Sequence, residues 1–172
     1  MTERIPPLTD KDIADECRLR AELAEVVSVI RRGTFDRVRD EDRLRYLNLL
    51  RSQKGRGLRT EVADDAVHLD ALWHLLPPYV GQTMRLYRGD SLLDVDNGGI
   101  GLCWTSDRIV AEDFAFAWNS DRPRGGVLLE TPAPVEAIIS GPVRDGVCDW
   151  EQEYVVDRRR LEVVRHLKYF KE

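Results

Sequence analysis

The sequence predicts an α+β protein, with a helical first half and a strand-rich second half. Three observations predict it. Apolar residues recur at helical spacing as far as Leu76. The pair Pro77-Pro78 then stops that pattern. Beyond the prolines, short runs rich in β-branched or aromatic residues alternate with Gly, Pro, Asp and Asn. The expected organisation is one domain over 1–172, with a helical lobe at 1–80 and a strand-rich core at 81–172. The strand half has few apolar residues to spare, so the helices are expected to cover a sheet face.

In the first half, Leu23, Val26, Val27 and Ile30 mark one buried helical face, closed by Arg31, Arg32 and Gly33. A second helix around Glu41 to Arg51 carries Leu44, Leu47 and Leu50. A third, from about Val62 to Leu76, carries Leu69, Leu72, Trp73 and Leu76, with Asp64 and Asp65 in its first turns. The intervening "SQKGRGLRT" reads as a basic, glycine-containing loop. In the second half the predicted strands are "MRLYRG", "GIGLCWTS", "GGVLLETPA", "VEAIIS", "EQEYVVD" and "LEVVRHLKYF". One short helix lies between the second and third strands. Its stripe is Ala111, Phe114, Ala115 and Trp118, and Ser106 or Asp107 can cap its start.

Composition narrows the class. The chain has 172 residues, 42% hydrophobic and 33% charged, which is the composition of a folded globular protein. A formal net charge of −5 argues against a protein built mainly to coat nucleic acid, while a local basic groove stays open. Three distant cysteines, Cys17, Cys103 and Cys148, form no metal-binding or disulfide spacing and read as free thiols. No leader-like segment and no membrane span are expected, so the reading is cytoplasmic at the site of synthesis. The histidines His68, His74 and His166 show no ligand spacing and read as structural.

Three places carry residue types suited to chemistry. In "LYRG", Arg88 ends a strand beside Gly89; its planar fork suits phosphate or carboxylate, and Gly89 would let a ligand approach the backbone. The plain alternative is a surface arginine before a turn. In "GLCWTSDRIVAEDFA", a strand runs through Trp104 into Thr105-Ser106 and then into a helix start, where N–H groups are available. The alternative is an ordinary cap beside a buried Trp104. In "CDWEQEYVVDR", strand alternation puts Glu151, Glu153 and Val155 on one face. Paired carboxylates can stabilise a cationic sugar or remove a proton; the alternative is a solvated strand start.

Taken together, "LYRG", "WTSDRIVAEDFA" and "EQEYVV" resemble, in order and spacing, the Arg–Ser–Glu class of mono-ADP-ribosyltransferases, over roughly the part from Met84 onward. The resemblance implies an ADP-ribosyltransferase-like split β-sandwich with an N-terminal helical lobe. It implies NAD as co-substrate, no metal, and transfer of ADP-ribose to a protein target, with a nucleic acid as the other acceptor. By it, Arg88 holds the NAD phosphates, Glu153 is the catalytic glutamate, and Glu151 deprotonates an acceptor guanidinium. Thr105 or Ser106 supplies the hydroxyl that orients Glu153. The family usually has serine where this chain has Trp104, so Trp104 is expected to pack on the nicotinamide if neither hydroxyl serves. Tyr87, Gly89 and Phe114 fall at the cofactor site, and Arg122 and Arg124 in a loop over the phosphates. Asp149 and Trp150 fall in the acceptor-recognition loop, and Trp150 has a second reading as a residue that closes the core. Such enzymes act as effectors or toxins, so an inhibitor or antitoxin partner and delivery into another cell are further expectations. Two alternatives stand beside the transferase: an NAD glycohydrolase, and an inactive fold of this kind used for binding.

Overall fold

The computed structural model describes residues 10–33, 35, 38–51, 55–121, 124–142 and 152–171. It divides into two compact units, Met1–Leu76 and Pro77–Glu172, at the prolines where the sequence changes character.

The first unit is helical: α1 (Asp10–Arg32), α2 (Asp40–Arg51), α3 (Gly55–Val62) and α4 (Asp65–Leu75). Val26, Val27 and Ile30 of α1 are buried, as their spacing predicts, together with Tyr46, Leu47, Leu69, Leu72 and Leu75. The stretch read as a basic loop is a correction, because residues 55–62 form α3. Leu58 and Val62, four residues apart, are both buried, and burial of that stripe overrides the poor helix propensity of its glycines. The helix expected from Val62 starts later. Ala63 has φ of 58°, which ends α3, and the Asp64 carboxylate then caps α4 by accepting the N–H groups of Ala66 and Val67. Arg59 ties the two helices with a two-pronged pair to Asp65 at 2.6 and 2.7 Å.

The second unit contains β1 (Met84–Ser91), α5 (Leu92–Asp96), β2 (Cys103–Thr105), α6 (Arg108–Asp121), β3 (Gly126–Ala133), β4 (Ile138–Ser140), β5 (Glu153–Val156) and β6 (Arg165–Phe170). The strands form one six-stranded sheet in the order β4-β5-β2-β1-β3-β6, with every neighbouring pair antiparallel. The pairings are unequal. β1 and β3 run in continuous register from Met84↔Ala133 to Ser91↔Gly126, whereas β1 and β2 meet only at Tyr87↔Thr105. The sheet is therefore two three-stranded ladders joined at one residue pair. One face buries Leu86, Trp104, Val127, Leu129, Tyr154 and Val156 in a common core. On the other, α6 packs close, and a Cβ at Gly89 would strike the backbone of Ala111 and Ala115.

Several predicted strands are shorter than expected. Val135–Ala137 is a 3-10 turn rather than strand, and the last strand begins at Arg165. Helix α5 is an element the sequence reading left out; the Ser91 hydroxyl caps it by accepting the Asp94 N–H.

Candidate functional site

The sheet register sets three of the expected residues in one row. Tyr87 of β1 opposes Thr105 of β2, and Thr105 opposes Glu153 of β5. Directly opposed residues share a face with Cβ atoms about 4.5–5.5 Å apart, so Thr105 is the side-chain neighbour of Glu153. Both are buried, at 6% and 8% exposure. Trp104 and Tyr154 oppose one another on the other face, within the core cluster. Glu151, Asp149, Trp150 and Arg122 lie outside the described residues.

Burial settles the reading of Trp104. At 1% exposure it is a core residue, packed with Leu86 and Tyr154 rather than set beside Glu153. Its indole N–H is buried without a hydrogen-bond partner. Ser106, next along the strand, faces away from Glu153 toward the side of Tyr154, whose phenol burial and nearby Tyr79 push above its ordinary pKa. Of the hydroxyl pair, Thr105 is thus the member beside the glutamate. Its Oγ1 accepts the Asp107 N–H at 3.0 Å, and Asp107 caps α6 by accepting the Ile109 N–H at 2.8 Å.

Arg88 reaches the β2 backbone by a route the sequence does not show. Strand alternation alone puts Arg88 and Glu153 on opposite faces, since Tyr87 shares the face of Thr105 and Glu153. After the Tyr87–Thr105 pair, however, β1 and β2 part. The Arg88 guanidinium enters the gap, and its Nη1 donates to the Cys103 carbonyl while Nε donates to Asp90 at 2.7 Å. Burial opposes the charge on Arg88, but Asp90, Cys103 and Glu153 outweigh it and raise its pKa.

The remaining candidates have other settings. Gly89 is covered by α6, so its missing side chain serves close helix–strand packing instead of ligand approach. Phe114 is 43% exposed on α6. Arg124 pairs with Asp96 at 2.7 Å. Asp90, which pairs with Arg88, is a residue that sequence reasoning missed. Its signal was its place two residues after Arg88 on the same strand face.

Among the described residues, no group of His, Cys, Asp and Glu is placed to hold a metal ion, and no helix is long and apolar enough to cross a membrane. Cys17 and Cys103 are free thiols. Comparison with known proteins yields no matching family model, no similar curated protein and no similar solved structure. The class that fold and site define is thus an α+β protein with Thr105 beside Glu153 on neighbouring strands and Arg88 bridging to β2 where its sheet divides.

Proposed function

We propose that the chain is a mono-ADP-ribosyltransferase, which cleaves NAD at the nicotinamide–ribose bond and transfers ADP-ribose to a macromolecular target. The observation that carries this reading is Thr105 set opposite Glu153 on adjacent strands, with Arg88 reaching the β2 backbone where β1 and β2 part. The two ladders joined at one pair support it further, because a split β-sandwich needs such a parting.

In this reading Glu153 accepts hydrogen bonds from the hydroxyls of the nicotinamide ribose and opposes the positive charge that grows on the sugar as nicotinamide leaves. Its partly desolvated position strengthens that interaction, since a charge acts more strongly where water is scarce. Thr105 orients the carboxylate. Arg88 supplies positive charge beside the dinucleotide and keeps β2 in place. Glu151 remains the proposed base for a guanidinium acceptor.

The test is incubation with NAD and a bulk protein mixture, followed by mass spectrometry and assay of released nicotinamide. Modified protein is expected with the native chain. Glu153→Gln is expected to lower nicotinamide release about 100- to 1,000-fold, the usual effect of removing one transition-state electrostatic partner. Free ADP-ribose without modified protein would make the chain a glycohydrolase.

One observation favours the binding-protein alternative. The Arg88 side chain keeps only 17% of its exposure and is already engaged by Asp90 and the Cys103 carbonyl. Calorimetry with NAD separates the two readings: no heat of binding, with Glu153→Gln indistinguishable from the native chain, selects the inactive fold.

A further inference from the structure

The register of β1 and β2 holds at Tyr87↔Thr105, and beyond that pair a side chain joins the two strands. Arg88 Nη1 donates to the Cys103 carbonyl of β2. The same guanidinium donates through Nε to Asp90 Oδ2 at 2.7 Å. That Asp90 oxygen also accepts the Gly101 N–H at 2.9 Å, and Oδ1 accepts the Ser91 N–H at 3.0 Å. Gly101 lies against Nη2, where even a methyl group would overlap the guanidinium. Arg88 is therefore held on three sides: by a carboxylate, by a carbonyl and by the bare face of a glycine.

We propose that Asp90 and Gly101 are positioning residues: they hold the Arg88 guanidinium across the gap between β1 and β2, and through it fix the strand that sets Thr105 opposite Glu153. A side chain this flexible could usually swing away from an added methyl. Here it cannot do so without giving up the bonds to Asp90 and Cys103. The latch also runs through the backbone, because Asp90 binds both the β1 side (Arg88, Ser91) and the segment leading into β2 (Gly101). A buried ion pair is weak support for stability by itself, because desolvation of the two charges offsets their attraction. Its part here is to fix geometry. The effect on NAD chemistry rests on the function proposed above, whereas the latch rests on geometry alone.

Hydrogen exchange and catalysis together test it, using native protein, Asp90→Asn and Gly101→Ala. In the native protein the Arg88 Nε–H and the Gly101 amide should give slowly exchanging NMR signals. Asp90→Asn should remove the Arg88 signal and speed exchange of the Gly101 amide at least about ten-fold. Gly101→Ala, which alters no charge, should remove the Arg88 signal while the residue 101 amide stays protected. Misplacement of this order costs about 100-fold in turnover, so kcat for NAD cleavage should fall about 10- to 100-fold in both variants, with KM changing less. Signals as slow in both variants as in the native chain overturn the latch. Lost signals with unchanged kcat overturn its positioning role. If the native chain cleaves no NAD, the functional reading fails and the exchange data still decide the latch. If Asp90→Asn gives no dispersed spectrum, Gly101→Ala carries the decision.

Discussion

The two sides of β1 are built differently. Toward β3, β1 makes an unbroken antiparallel ladder from Met84 to Ser91. Toward β2 it makes a single pair and then hands the work of joining to side chains, the half-buried Arg88 and the buried Asp90. A ladder satisfies backbone groups without any particular side chain, so its sequence is free to be generically apolar. A side-chain join needs particular residues at particular positions. The difference teaches where to look in this unit: the chemically distinctive residues gather where the ladder stops.

The largest expected effect breaks the β2 side of that comparison. Trp104→Ala removes the biggest fully buried side chain beside the join and should cost about 3–5 kcal/mol of stability, measured by denaturant unfolding. A cost near that of a surface substitution would mean that the join does not rest on this core. The next effect strikes β1 from its other face. Gly89→Ala drives a methyl into the α6 backbone and should destabilise by about 1–3 kcal/mol, the usual cost of overpacking. A neutral result would show that α6 can shift without disturbing β1.

The smallest effect sharpens the comparison through pH. Burial raises the Asp90 pKa, but the Arg88 charge and the hydrogen bonds from Arg88, Gly101 and Ser91 outweigh it and leave it lowered. The folded state therefore binds a proton there less readily than the unfolded chain. The stabilisation from Asp90 is full above the ordinary aspartate value of about 3.9 and drains away as pH falls below it. Arg88 is raised instead, so its share persists up to strongly alkaline pH and adds no slope near neutrality. Unfolding followed from pH 6 downward should show the native chain losing stability more steeply than Asp90→Asn. Parallel acid limbs would remove Asp90 from the account of the join.

Much of this was legible in the sequence. The apolar stripe Val26, Val27, Ile30 announced α1, and the proline pair announced the change of unit, because helical periodicity and proline chemistry are local. Alternation in "EYVV" correctly separated Glu153 from Tyr154 and Val156. The miss at α3 came from weighing Gly55 and Gly57 above the Leu58–Val62 stripe, whose burial depends on neighbours that a local reading cannot see. The choice between Thr105 and Ser106 could not be made from sequence, since a one-residue shift in register reverses which hydroxyl faces Glu153.

By itself, then, the sequence determined the α+β class, the order of its main helices and strands apart from α3, α5 and the turn at Val135–Ala137, and the residues with side chains suited to chemistry, since these follow from local periodicity and side-chain type. Tertiary structure alone decided that Trp104 is core, that Thr105 is the hydroxyl beside Glu153, and that Arg88 reaches the β2 backbone at Cys103. The physical reason is that strand register and the point where two strands part are set by contacts between residues far apart in the chain, and no local pattern encodes them.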